Sequence, residues 1–293
     1  MEKKYIFLVL LIIGTAFWGI SFPVTKMATD AVSPSTFLFY RFLAATIVLA
    51  AILSKQLKRI DRSALIAGMA LAIPLTFGIH FQTLGIKYTP ASQCAFVAGI
   101  CVVMIPVIKQ LVYKTRVDLK IWVAAIIALV GLFIISVRGN LVIGRGDVYT
   151  IIGSIGFAIY LIQVERYSTD RNILPTIVPM FATCALIMLC IALGDETANW
   201  LPVNQGFWMG IGYCALFSTA YMYTISNLSQ RYISAEKVAI IYLFEPIFAA
   251  IAAILMLGEQ LSWQLLVGGA LIFAGTLISE ANFKRKEAYK DIH

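Results

Sequence analysis

Among the ionisable residues of this 293-residue chain, Glu245 has the most consequential setting. It stands in Leu243-Phe244-Glu245-Pro246-Ile247, inside an apolar stretch from 235 to 257. A carboxylate in hydrocarbon is costly, so it must face a protein interior, find a partner or carry a proton. Two uses follow. Glu245 can move protons or receive a cationic group, or it can bond backbone carbonyls released by Pro246. His80, in Gly78-Ile79-His80-Phe81-Gln82, is the one candidate of a type that titrates near neutrality, or it makes an interhelical hydrogen bond. Arg41 lies inside another apolar stretch, where it either snorkels to an interface or pairs. Lys109 is expected to snorkel. Aromatic residues accompany these groups: Trp18, Phe22, Tyr40, Tyr160, Tyr221, Tyr242 and Phe244, near polar Gln163, Thr219, Ser226 and Asn227. Apolar walls with few polar groups suit a small-molecule site, and ring faces attract ammonium groups. For any single ring, core packing is the competing use.

The elements that must position these residues follow from composition. The chain is 60% apolar and 13% charged, with mean hydropathy +0.87. Soluble domains are nearer 45–50% apolar and about 25% charged. The excess recurs from Tyr5 to Ser279, which excludes a water-soluble globule, a disordered chain and a secreted disulfide scaffold. Apolar stretches of roughly 20 residues span a bilayer as helices. Ten are expected: 5–28, 35–54, 63–85, 90–113 and 119–137, then 148–167, 174–193, 207–228, 235–257 and 262–281. The fold class is therefore an all-α polytopic membrane protein with a lipid-bilayer partner.

The net charge of +8 belongs to loops and is explained by topology, not by a nucleic-acid partner. With the N-terminus in the cytoplasm, seventeen basic residues fall on that side, against Lys26, Lys87, Arg138 and Arg145 opposite. This predicts an even number of spans with both termini cytoplasmic. The start resembles a secretory signal, but the apolar stretch continues through Trp18, Phe22 and Val24, so it reads as the first span. Cys94, Cys101, Cys184, Cys190 and Cys214 all lie in apolar stretches, which argues against a metal site or disulfide framework. No cofactor is expected.

The chain also repeats. Shifted by 144 residues, 84–136 aligns without gaps to 228–280. Lys87-Tyr88 falls on Arg231-Tyr232, Ala91 on Ala235, Ala95 on Ala239 and Gly131 on Gly275. Five spans per half makes the second half enter the membrane upside down. Such halves, here 1–140 and 141–293, enclose a site near the midplane.

Trp18-Gly19-Ile20-Ser21-Phe22 followed by Lys26, Arg41-Phe42-Leu43-Ala44 and Leu84-Gly85-Ile86-Lys87-Tyr88-Thr89-Pro90-Ala91 resemble signatures of EamA-type transporters in the drug/metabolite transporter superfamily. The most specific resemblance is Phe244-Glu245-Pro246-Ile247-Phe248-Ala249-Ala250 leading to Leu257-Gly258-Glu259-Gln260-Leu261-Ser262. One departure is that Lys114-Thr115 stands opposite Gly258-Glu259, and Pro106 lies one turn later than Pro246. The resemblance implies ten helices around a central cavity lined by spans one, three, four, six, eight and nine. It also implies secondary transport, often export, of small metabolites such as amino acids across the inner membrane.

On that reading Glu245, His80 and the seven aromatic residues are the substrate or coupling candidates, and Arg41, Pro246 and Gly19 are structural or gating positions. Protons are the expected coupling partner, and the protein would act as a monomer or homodimer. The alternatives are an importer of a quaternary ammonium and, from another class, a membrane-embedded lipid enzyme or scaffold. The sequence has no G-x-S-x-G or H-E-x-x-H, so enzymatic chemistry has no evident home. Gly144-Arg145-Gly146-Asp147 lacks the ending of a phosphate loop, and Asn227-Leu228-Ser229 falls on the expected cytoplasmic side.

Overall fold

The computed structural model describes residues 3–30, 32–136, 144–202, 204–257 and 263–280. All regular elements among them are helical. The first half contains α1 (Lys3–Thr29), α2 (Pro34–Ile52), the short α3 (Ser54–Leu57), α4 (Arg62–Tyr88), α5 (Ala91–Ala98), α6 (Cys101–Leu111) and α7 (Leu119–Ser136). The second contains α8 (Arg145–Asp170), α9 (Leu174–Leu193), α10 (Gln205–Tyr213), a π-helical stretch (Cys214–Tyr221), α11 (Met222–Ser229), α12 (Ala235–Tyr242), α13 (Glu245–Leu257) and α14 (Trp263–Glu280).

Five helices, α1, α2, α4, α8 and α9, are long and apolar enough to cross a membrane. α7 and α14 have 18 described residues each. The remaining expected spans consist of pieces laid end to end: α5 with α6, α10 through α11, and α12 with α13. The order agrees with ten crossings. Residues 258–262, which carry Gly258-Glu259-Gln260-Leu261-Ser262, lie outside the described residues, as does Arg138.

Local signals set the helix ends. Ser33 caps α2 by accepting from the Thr36 N–H, with Pro34 at the first turn. Asp61 caps α4 through the Ala64 N–H at 2.7 Å. Gly144 and Asp147 close the start of α8, the Gly144 N–H donating to Asp147 Oδ2 at 2.8 Å. The Gly-Arg-Gly-Asp stretch thus serves a helix terminus.

Packing follows a reciprocal pattern. α4 packs against α8, and α1 packs against α10, the π stretch and α11. α1 meets α13, and α8 meets α5 and α6. α4 meets α9, and α2 meets the π stretch. α7 with α14, and α2 with α9, complete the set. Exchanging the first five spans for the second five converts each of these pairings into another of them, as two repeats about a two-fold axis require. Small residues permit the closest crossings. A methyl at Gly153 would lie 2.7 Å from the Gly78 carbonyl oxygen, and one at Gly131 2.5 Å from that of Gly268.

Asp195, after α9, ties the two halves at the end opposite the start of α1. Ser35 Oγ donates to its Oδ2 at 2.6 Å and Thr197 Oγ donates to its Oδ1 at 2.6 Å. These hydrogen bonds, Ser35 first, hold the Asp195 carboxyl down to about 2. A depressed acid stabilises the fold above its unfolded value and loses that contribution as pH falls through its folded value. Asp195→Asn should therefore lower the thermal midpoint in detergent at pH 5, and the difference should shrink between about pH 4 and pH 2. A difference independent of pH over that window would contradict the assignment. The effect is small because Asp195 is only half-buried and solvent screens it.

Candidate functional site

Two spans break, and they break at equivalent positions. α5 and α6 are separated by Gly99-Ile100, and α12 and α13 by Leu243-Phe244. The 144-residue shift carries the first pair onto the second. The causes differ locally. Pro246 has no N–H for the Tyr242 carbonyl, and its ring crowds that oxygen. In the first half Pro106 sits within α6, and the break falls at Gly99, a residue costing a helix about 1 kcal/mol relative to alanine.

A cavity of about 40 Å³ lies at these breaks. It is lined by Ala95, Ala98, Gly99, Cys101 and Val102 from the first half and by Ala239, Tyr242, Leu243, Glu245 and Pro246 from the second. Each residue of the first set falls on one of the second under the same shift. Trp18 from α1, Gln82 from α4, and Phe157 and Leu161 from α8 complete the wall. A water needs roughly 10–15 Å³ of such space, so the cavity admits a few waters or a small polar head. A whole metabolite requires the helices to part.

Among the described residues Glu245 is the only ionisable carboxyl in this wall. Its residue is 8% exposed, and Oε1 is buried with no hydrogen-bond partner. Among the described residues its carboxyl makes no hydrogen bond or ion pair. The use as a donor to carbonyls freed by Pro246 is therefore not realised; Pro246 opens α13, where a missing N–H costs little.

Trp18 stands at the centre of the aromatic wall, with ring centroids 5.9 Å from Phe157, 6.0 Å from Tyr242 and 5.0 Å from Tyr223. α11 supplies the layer behind. Tyr160 Oη donates to Asn227 Oδ1 and Tyr242 Oη to Ser226 Oγ, both at 2.6 Å. Gly19 lets α1 approach the break, since a methyl there would lie 2.6 Å from the Glu245 carbonyl oxygen and 3.0 Å from the Ala249 nitrogen. Backbone atoms cannot swing aside, so Gly19→Ala should cost about 1–3 kcal/mol of stability by overpacking. The check is thermal unfolding in detergent; an unchanged midpoint would place α1 elsewhere.

The other candidate residues lie away from this wall. Tyr221 Oη donates to the Leu10 carbonyl, and its ring meets Phe17 on the flank of α1. Phe244 turns toward α14 and meets Phe273. Tyr40 joins Phe207 and Trp208 near one end of the bundle, with Oη donating to the Trp200 carbonyl at 2.5 Å. Phe22 is buried core. The span comprising α10 through α11 contributes no lining residue. Its π turns hold Arg41 instead, with Nε donating to Thr219 Oγ1 at 2.7 Å and Nη2 to Ser218 Oγ at 3.1 Å. His80 lies beside Phe81, and its Nδ1 is buried without a partner.

Lys109 does not snorkel. Its Nζ pairs with Glu165 of α8 and, at 2.8 Å, with Glu236 of α12. This triad ties α6, α8 and α12 between the cavity and the end where α1 begins. At the other end Lys26 Nζ donates to the Thr89 carbonyl at 2.9 Å, and Gln93 Nε2 lies 3.0 Å and 2.9 Å from the two Asp147 carboxylate oxygens.

A family model described as "EamA-like transporter family" matches twice, over residues 5–137 and 144–280. The chain belongs to the EamA-like transporter family. An uncharacterized transporter of Archaeoglobus fulgidus is 28% identical, covering 89% of this chain and 81% of the relative. The uncharacterized inner membrane transporter YedA of Escherichia coli K12 is 27% identical, covering 89% and 87%. The uncharacterized transporter YyaM of Bacillus subtilis is 21% identical, covering 94% and 93%. A solved crystal structure shares the fold with TM-score 0.75 at 12% identity, over 96% of this chain and 97% of the other. This EamA chain is thus a membrane-spanning member of a transporter family. Gln82, Phe157, Leu161 and Cys101 were not among the site residues expected from sequence. The repeat alignment contained the signal for Cys101, which it places opposite Glu245.

Proposed function

We propose that this protein is a secondary transporter and not an enzyme. It moves small ammonium-bearing metabolites, amino acids or amines, by alternating access. The observation that carries this reading is the cavity itself, walled by equivalent residues of two halves at two equivalent helix breaks. Discontinuous helices at a repeat interface are the usual setting of a transporter's substrate site. Residues 1–140 and 141–293 are the two inverted repeats, a reading supported by the separate family matches on either side of 138–143.

The protein resides in the inner membrane with both termini cytoplasmic, supported by the distribution of basic residues and by the printed name of the Escherichia coli relative. The Lys109 triad then closes the cytoplasmic side. Opening inward separates α6 from α8 and α12, and Glu245 meets the substrate or a coupling proton. The direction is export, driven by the substrate gradient or by protons. Counterflow in proteoliposomes tests the reading. Exchange of at least one amino acid or amine, above that of empty vesicles, is expected. No exchange of any member of the panel would overturn it.

A further inference from the structure

The cavity wall is chemically one-sided. Among the described residues it contains one carboxyl, Glu245, and no lysine, arginine or histidine. Nearby cations are committed elsewhere: Arg41 to Ser218 and Thr219, Lys109 to its two glutamates, and Lys26 to backbone carbonyls. A broken helix often offers free N–H groups to an anion at its new N-terminus. Here that option is largely spent. At the start of α6, Val102 N–H donates to the Gly99 carbonyl at 3.1 Å and Val103 N–H to the Ile100 carbonyl at 3.1 Å. At the start of α13, Pro246 has no N–H, and Ile247 N–H donates to the Phe244 carbonyl at 3.1 Å.

What remains is a buried carboxylate oxygen lacking a donor, beside the rings of Trp18, Tyr242 and Phe157 and the amide of Gln82. An ammonium group answers both features. It donates hydrogen bonds to the carboxylate and is attracted to ring faces. A carboxylate on the same small molecule meets no counter-charge and lies against Glu245, a like-charge contact costing several kcal/mol.

From the unpartnered Glu245 carboxylate, the three rings and the absence of any basic side chain in the wall, we propose that the substrate is an organic amine without a carboxylate. It is a decarboxylated amine rather than its parent amino acid. This rests on the transport reading and narrows it. An ammonium head matches the small hollow, and the organic body occupies the path opened when the helices part.

The test uses full-length protein and matched pairs: tyramine with tyrosine, agmatine with arginine, and cadaverine with lysine. Thermal shift in detergent reads binding, and counterflow in proteoliposomes reads transport. At least one amine should bind and exchange at least about tenfold better than its parent acid, a ratio worth about 1.4 kcal/mol. Glu245→Gln should erase that preference while retaining the elution profile of folded protein, and Glu245→Asp should retain part of it. If Glu245→Gln does not fold, the matched pairs on wild-type protein still decide. Parent acids exchanging as well as their amines would overturn this inference and leave the transport reading standing. Amines that shift the midpoint but never exchange would overturn the transport reading and with it the substrate assignment, leaving only an amine-binding site. Neither binding nor exchange of any amine would overturn the amine assignment.

Discussion

Glu245→Gln should reduce substrate exchange to near the level of empty vesicles while leaving a folded protein. The substitution preserves volume and shape and removes one charge. In wild-type protein Oε1 has no hydrogen-bond partner, so Gln breaks no existing hydrogen bond at that atom. The folded state therefore loses little. Function loses the one carboxyl of the cavity wall among the described residues. Hydrogen bonds to charged groups contribute about 1.5–3 kcal/mol, so affinity should fall by roughly 10–150-fold. Measurement of counterflow together with thermal unfolding separates the two effects. Exchange retained at wild-type rate, with unaltered pH dependence, would remove Glu245 from both binding and coupling.

Lys109→Met should produce the largest loss of stability among the substitutions considered. The Lys109, Glu165 and Glu236 side chains are 13%, 20% and 7% exposed. Deleting the cation leaves two nearly buried carboxylates facing each other with no counter-charge. Breaking a buried ion pair from one side costs about 3–5 kcal/mol, whereas replacing all its members by neutral groups is often close to neutral. The triple variant Lys109→Met/Glu165→Gln/Glu236→Gln should accordingly recover most of the thermal midpoint lost by the single variant. Unfolding in detergent at fixed lipid content checks both. A single variant with an unchanged midpoint would mean that the triad does not tie α6 to α8 and α12.

Much of the architecture was legible because each apolar stretch is long enough to span and each turn carries its own signal. Ser33 and Asp61 cap the helices they precede. The breaks were hidden because apolar composition does not change across them: 90–113 and 235–257 read as continuous spans. Gly99 and Pro246 were visible but do not align with each other; only the equivalence of 99–100 with 243–244 under the repeat pairs the two breaks. Glu245 was legible because a carboxyl in hydrocarbon demands an explanation. The aromatic assignments were harder. Helices buried on several sides carry weak polar stripes, so the sequence does not say which face of a span Tyr221 or Tyr242 occupies. The π turns from Cys214 to Tyr221 also shift the side-chain register from that of a regular helix. Lys109 was misread because its partners lie on helices remote in sequence, and snorkelling needs no partner at all.

Cys101, the repeat equivalent of Glu245, offers a native reporter inside the cavity wall. With Cys94, Cys184, Cys190 and Cys214 replaced by alanine, a membrane-impermeant cationic methanethiosulfonate can be applied separately to each face of sealed vesicles. Labelling of Cys101 from both faces, slowed from both by a transported amine, is the predicted result. Labelling from neither face, or from one face only under all substrate conditions, would contradict an alternating-access site at the two helix breaks.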